Sequence, residues 1–137
     1  MVDHVDRIGR SAIMSKVGTR DTWPEMTVRR ALHRRGYRYV LNDKRLPGSP
    51  DLVFPRRRKV IFVHGCFWHG HECKGGRLPK SRVGYWSNKV VANKARDATT
   101  LVRLADLGWK SLVLWQCEVR KMEAVLPKVV SFLEGNQ

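Results

Sequence analysis

Acidic residues are scarce in this chain: 12 aspartates and glutamates stand against 27 lysines and arginines, a formal charge of +15 over 137 residues with a pI near 10.6. A surplus of that size favours a polyanionic partner, with nucleic acid foremost. Long apolar runs are missing as well. None approaches the ~20 residues that cross a bilayer, Val60-Ile61-Phe62-Val63 being typical of the longest. No amphipathic helix with large apolar residues stands out for a membrane surface either, so no membrane partner is expected. The first ten residues include Asp3, Asp6, Arg7 and Arg10, which leaves no room for the apolar stretch of a secretory leader, and a cytoplasmic protein, nucleoid-associated when on DNA, is expected. Cysteine is limited to three residues, an odd number in a chain that should stay reduced. That excludes a closed disulfide framework and leaves free thiols or metal ligation. Internal repeats and low-complexity linkers are absent, and the length suits one domain of ~100–150 residues, so residues 1–137 are expected to form a single, monomeric unit.

Periodicity and punctuation give the elements that are present. After a polar, helical N-terminal arm (residues 1–20, helical around Ser11 to Val17), Thr22-Trp23-Pro24-Glu25 reads as a helix start with a cap, an early proline and a glutamate three residues on. Gly36 should end that helix, whose buried stripe is Val28, Ala31 and Leu32, with Glu25 on the same side. Strands are expected at Tyr37 to Leu41, Asp51 to Phe54 and Lys59 to Val63, an antiparallel meander with Pro55 to Arg58 as a tight connection. A long helix follows from about Tyr85 to Leu107, with Val91, Ala95, Ala98, Val102 and Ala105 as its buried stripe and Gly108 as its stop. Trp109 to Trp115 is a further strand, Trp109 and Trp115 being core residues. A last helix spans Leu126 to Leu133 with Pro127 in its first turn. The order α-β-β-β-α-β-α is mixed α/β.

Chemistry concentrates in His64-Gly65-Cys66-Phe67-Trp68-His69-Gly70-His71-Glu72-Cys73. Cys66, His71, Cys73 and the later Cys117 make a tetrahedral nitrogen and sulfur set for Zn²⁺ that uses every cysteine in the chain; the alternative is three reduced cysteines acting as small buried apolar residues. His64 and His69 are then available for acid–base work near neutral pH. Gly48-Ser49-Pro50-Asp51 places an aspartate at a strand start, where its carboxylate could hold a hard cation such as Mg²⁺.

The segments Thr19-Arg20-Asp21-Thr22 with Glu25, Leu46-Pro47-Gly48-Ser49-Pro50-Asp51, Phe62-Val63-His64-Gly65-Cys66-Phe67-Trp68-His69, and Trp86 with Lys89, Asn93, Arg96 and Asp97, resemble those of the very short patch repair DNA mismatch endonucleases. The resemblance spans nearly the whole chain. It implies an α/β fold with a restriction-endonuclease-like core, a central mixed sheet flanked by helices, carrying a structural zinc site. It also implies that Asp51 and the backbone carbonyl of Val63 ligate a catalytic Mg²⁺, that Glu25 assists through the metal's water shell, and that His69 and His64 handle protons. Phe62 and His64 stand where related nucleases carry an acid and a lysine, a departure the family shares. Threonine is common in the family at the position of Val63, a change that a backbone ligand tolerates.

On the long helix, Trp86, Lys89, Asn93, Arg96 and Thr100 project opposite the apolar stripe, so one face is dedicated to a ligand or to water. Lys89 and Asn93 are suited to base edges, and the resemblance assigns them that use. Phe67, Trp68 and Trp86 resemble the family's wedge into the base stack; Met14 and Val17 on the arm either contact the opposite groove or pack. The substrate implied is double-stranded DNA with a T·G mismatch, nicked 5′ of the thymine, with mismatch-repair proteins as further partners. Competing readings are a zinc-dependent DNA-binding module without catalysis and a restriction-type nuclease acting on matched duplexes. A zinc hydrolase is disfavoured because four protein ligands leave no open position for water.

Overall fold

The computed structural model describes residues 22–135, so the arm, with Met14, Val17, Thr19, Arg20 and Asp21, lies outside the described residues. Helix α1 spans Trp23–Arg34. Thr22 caps it in extended conformation, its hydroxyl accepting the Glu25 N–H at 3.4 Å, and Pro24 suits the first turn, where no helical N–H is needed. Gly36 ends it with φ +91°, a conformation that other residues reach only with strain. Glu25 points inward, at 2% exposure, beside Val28 and Leu32, and its carboxylate pairs with Arg29 one turn on.

Four strands form one sheet in the order β1-β2-β3-β4. They are β1 (Val40–Leu41), β2 (Leu52–Phe54), β3 (Lys59–His64) and β4 (Lys110–Trp115). The first three are antiparallel, with Leu52 opposite Ile61 and Phe54 opposite Lys59, while β4 runs parallel to β3 with Ile61 opposite Leu112 and His64 opposite Trp115. A parallel neighbour requires a crossover, supplied here by helix α2, Val83–Asp106. The first strand is shorter than expected because Tyr37 and Tyr39 pack edge-on against Phe54, at 6.4 and 5.9 Å, before the ladder begins. After β4 come the short α3 (Gln116–Val119) and α4 (Met122–Glu134). The last helix thus starts earlier than the sequence pattern places it, and Pro127 lies in its interior, not its first turn. Val125, Val129 and Leu133 are buried at steps of four, so packing outweighs the one helical bond that the proline removes.

Side chains alternate across β3. Ile61 joins Leu52, Leu114, Leu32 and Val129 in the core under α1 and α4. Val60 and Phe62 join Val53 and Leu104 under α2. His64 continues the second set and therefore faces α2. That helix corrects the expected stripe: Val91 and Val102 are 62% and 60% exposed, and Ala95, Ala98 and Ala105 are exposed with them. Val90 and Leu104 are buried instead, with Trp86, Asn93, Asp97 and Thr100 half-buried between them. The inward face is the polar one because it lines the site.

Candidate active site and metal centre

Asp51 precedes β2, just beyond the last ladder pair, and its Oδ2 accepts the Val63 N–H at 2.7 Å. The aspartate thus takes the place of a ladder partner at the end of the strand. Burial pushes its carboxyl up to about 7; the bond from Val63 opposes that rise, and neighbouring Glu25 adds to it. On the α2 face, His64 is 7% exposed, and its ring stacks on that of His69, centroids 3.8 Å apart and 5° from parallel. Burial, helped by His69, pushes His64 down to about 4, so it is neutral at pH 7. Its Nδ1 is buried without a hydrogen-bond partner among the described residues. His69 Nδ1 lies 2.5 Å from Asp97 Oδ2. A carboxylate can only accept, so Nδ1 carries the proton and Nε2 keeps a lone pair.

Asp51, His64, His69 and Asp97 line one cavity of about 840 Å³, together with the cations Arg29, Lys44 and Arg96. The loop before β2 closes its side. Gly48 there has φ +76°, and a Cβ on it would stand 2.4 Å from Thr100 Cγ2, so only glycine lets the loop approach α2 this closely.

Cys66 follows β3, His71 and Cys73 lie in the next loop, and Cys117 opens α3 after β4; their ligand atoms all lie within 4.8 Å of one another. Cys117 Sγ is 3.4 Å from His71 Nδ1, and the Cys117 N–H points to Cys66 Sγ at 3.4 Å. Ligands ~2.0–2.3 Å from a tetrahedral zinc stand roughly 3.5–4 Å apart, so the set fits that ion. Only Cys66 is buried, which counts against three thiols used as core residues. Cys73 is drawn down to about 6, chiefly by its bond with His71, while burial pushes Cys66 up to about 12. Trp115 stacks on His71 at 4.2 Å and meets His64 edge-on at 5.3 Å. It is half-buried and joins the Cys/His cluster to His64, whereas Trp109 packs beside the second core as expected.

Phe67, Trp68 and Trp86 pack edge-on against one another at 5.0, 5.4 and 5.8 Å. All three are half-buried. Asn93 donates to the Trp68 carbonyl at 2.7 Å, and Arg96 donates to Asn93 Oδ1 at 2.9 Å. Lys89 is exposed, its ammonium 5.3 Å from the Tyr85 ring centre.

The family model of the DNA mismatch endonuclease Vsr matches residues 2–75. The chain belongs to the Vsr endonuclease family. Similarity to relatives extends further. The type II nicking enzyme V.XorIIP of Xanthomonas oryzae pv. oryzae is 48% identical over 134 residues, 98% of each chain. The DNA mismatch endonuclease Vsr of Escherichia coli K12 is 37% identical over 131 residues, 96% of this chain and 84% of its own. The type II nicking enzyme V.NmeAIP of Neisseria meningitidis is 41% identical over 120 residues, 88% and 86%.

In this Vsr-family nuclease, the sequence-predicted groups fall into three adjoining clusters. Asp51, His64 and His69 line the cavity, Glu25 stands beside them, and Val63 bonds Asp51. Cys66, His71, Cys73 and Cys117 come together as a cluster that could hold a metal ion. Phe67, Trp68, Trp86, Asn93 and Arg96 form the aromatic corner, with Lys89 at its outer edge and Met14 outside the described residues. Sequence reasoning assigned Asp97 no role. The signal that could have found it is a carboxylate four residues after Asn93, on the polar helix face. Arg29 was also missed, one turn after Glu25.

Proposed function

We propose that this endonuclease nicks one strand of duplex DNA 5′ of the thymine in a T·G mismatch, by Mg²⁺-dependent phosphodiester hydrolysis, with Zn²⁺ as a structural ion. The observation that carries the reading is the convergence of Asp51 and the His69–Asp97 pair on one cation-lined cavity. Asp51 suits a divalent ion: it is a carboxylate kept from full ionisation by its own burial, so a cation beside it would be favoured. The Val63 carbonyl leaves the strand on the same side as its N–H, which puts it at Asp51's edge. Mg²⁺ held by these two would polarise the phosphate and acidify a bound water. Glu25 is near enough to Asp51 to act through that ion's water shell.

Hydrolysis adds a water oxygen to phosphorus as one ester P–O bond breaks, and protons must move at both oxygens. His69 Nε2 is the group prepared to exchange one, since the bond to Asp97 fixes the ring's tautomer and orientation and leaves Nε2 its lone pair. His64, neutral and stacked on His69, keeps the ring pair in register and keeps water from that side. Phe67, Trp68 and Trp86 form an aromatic edge suited to opening a base step, which costs least at a mispair. Lys89 and Asn93 flank it for base edges. Asn93 already holds Trp68, so reading a base and placing the wedge would be coupled.

The test is a set of labelled duplexes, identical except for T·G, T·A or C·G at one position in cytosine-methylation contexts, incubated with Mg²⁺ or with EDTA. T·G alone should be nicked, and only with Mg²⁺. Equal cutting of all three would promote a matched-duplex nuclease; tight binding with no cutting would promote a DNA-binding module.

A further inference from the structure

The parallel ladder sets His64 directly opposite Trp115, at the ends of β3 and β4. Opposed residues of neighbouring strands project to the same face, so both rings leave the sheet towards α2. The loop after β3 then turns back on itself: the His69 N–H donates to the Gly65 carbonyl at 3.2 Å and the His71 N–H to the Cys66 carbonyl at 2.9 Å. Gly70, between these histidines, sits against α2, where a Cβ would stand 2.6 Å from Val90 Cγ1. His69 and His71 are thereby both brought to the Trp115 ring. Among the described residues, the aromatic rings that meet Trp115 are all histidines: His71 stacked at 4.2 Å and 18°, His64 edge-on at 5.3 Å and His69 edge-on at 6.4 Å. The Trp115 backbone is held as well, its N–H donating to Glu118 Oε1 at 3.0 Å.

His64 needs such support. Its buried Nδ1 has no hydrogen-bond partner among the described residues, the Asp97 carboxylate standing 4.0 Å away. Ring packing is therefore what orients it, with Phe62 at 5.6 Å, His69 at 3.8 Å and Trp115 as its neighbours. His69 is tied to Asp97 at Nδ1, but its ring lies flat on that of His64. A hydrogen bond at one atom lets a ring swing about that atom, and a ring against its face removes the freedom. We propose that Trp115 is a positioning residue for the His64–His69 pair, backed by His71, so that a chain of rings ties the placement of His69 Nε2 to the Cys66, His71, Cys73 and Cys117 cluster. This rests on the function proposed above, in which His69 moves a proton and the cluster holds zinc.

Three variants test it. Trp115→Leu removes the aromatic wall, Trp115→Phe keeps one, and His71→Cys leaves four ligands for zinc but removes the ring behind Trp115. Zinc content, melting temperature, DNA affinity and single-turnover nicking with Mg²⁺ are measured for each. The nuclear Overhauser contact between the His64 and His69 rings is recorded without DNA or Mg²⁺. Trp115→Leu should hold zinc and DNA as wild type does, yet nick on the order of 10²-fold more slowly, the cost of misplacing a reacting group by about 1 Å. The contact between the two histidine rings should weaken with it. Trp115→Phe should recover most of the rate and the contact, and His71→Cys should slow nicking with zinc retained. A folded, zinc-loaded Trp115→Leu that nicks at the wild-type rate would overturn the proposal, as would a Trp115→Phe no faster than Trp115→Leu. Should Trp115→Leu lose zinc or fail to fold, His71→Cys decides, and a wild-type rate there with zinc in place would overturn it. Wild type without zinc, or without nicking of a T·G duplex, would refute the function proposed above, while the ring contact would still show whether Trp115 places the pair.

Discussion

At the start of β3, Lys59, only 5% exposed, donates from Nζ to the carbonyls of Phe132, Leu133 and Gly135 at 2.6, 3.2 and 2.6 Å. Arg57 adds a bond to the Leu133 carbonyl at 3.1 Å, and Arg58 donates to the Leu107 carbonyl at 2.6 Å, past the end of α2. Helix C-termini leave carbonyls without helical partners and carry partial negative charge; these three cations answer it. At the other end of the same strand, the charges are left for something else to answer. Asp51 is pushed up to about 7, His64 down to about 4, and three thiols and the His71 imidazole face one another. One end of the β3–β4 pair satisfies its polar groups internally and serves stability. The other keeps groups in costly states that, on the proposed function, a metal ion and a phosphate would relieve, as expected of a catalytic site. That it is the carboxyl ends of two parallel strands that stay open follows the rule for ligand sites in α/β sheets.

Removing the proposed zinc should have the largest effect, because an ion held by Cys66, His71, Cys73 and Cys117 would tie the loop after β3 to the start of α3. Cys117→Ser, or chelation, should lower the melting temperature by ~10 °C or more. Hydrogen exchange should then open Val63 and His64 before Val60 and Ile61; uniform loss of protection along β3 would mean that the two ends are not separable. Asp97→Asn is next. It should slow nicking on the order of 10²-fold by releasing His69's tautomer, with unchanged DNA affinity and melting. A near-normal rate would remove the pair from the mechanism.

Lys59→Met should do the reverse. Losing the charged bonds should cost about 2–3 kcal/mol in urea unfolding and leave nicking at 20 °C within about twofold; loss of activity in a folded variant would show that the ends are coupled.

The smallest effect is that of pH on the Mg²⁺-free, zinc-loaded protein. Asp51's folded value of about 7 lies above its ordinary 3.8, so the protonated form is favoured on folding, and the stability it confers is lost as pH rises from about 4 to about 7. His64's folded value of about 4 lies below its ordinary 6.5, so its contribution is present above about 6.5 and lost as pH falls towards 4. The two oppose each other, each by at most ~1.4 kcal/mol per pH unit. Asp51→Asn should therefore unmask a stability that falls on acidification below pH 6.5, where wild type is flatter. Parallel profiles for the two proteins would contradict the assignment.

The two ends were not equally legible from sequence. Glu25 facing inward, the cap at Thr22, the stop at Gly36, β2 and β3 follow from local pattern, and the structure bears them out; it also brings Cys66, His71, Cys73 and Cys117 together. The buried face of α2 did not follow. Two stripes run along that helix at alternating steps of four and three, one of valine and alanine, the other of Trp86, Val90, Asn93, Asp97, Thr100 and Leu104. Periodicity reports a helix, but hydrophobicity chooses the wrong side when the inward side carries the chemistry. Trp115 was read as core for a similar reason, since stacking on His71 cannot be told from burial by residue type. Lys59, read only as the start of a strand, gains its role from carbonyls more than 70 residues away.

The most direct test sets the two ends against each other in one experiment: single-turnover nicking of a T·G duplex with Mg²⁺ by wild type, Asp51→Asn and Lys59→Met, with DNA affinity and urea stability measured on the same preparations. Asp51→Asn should lose activity by on the order of 10³-fold or more while binding DNA and resisting urea at least as well as wild type above pH 7. Lys59→Met should show the converse, a weaker fold with an intact rate. An Asp51→Asn protein that nicks at close to the wild-type rate would contradict the account, because the catalytic centre would then lie elsewhere than at the open end of β3.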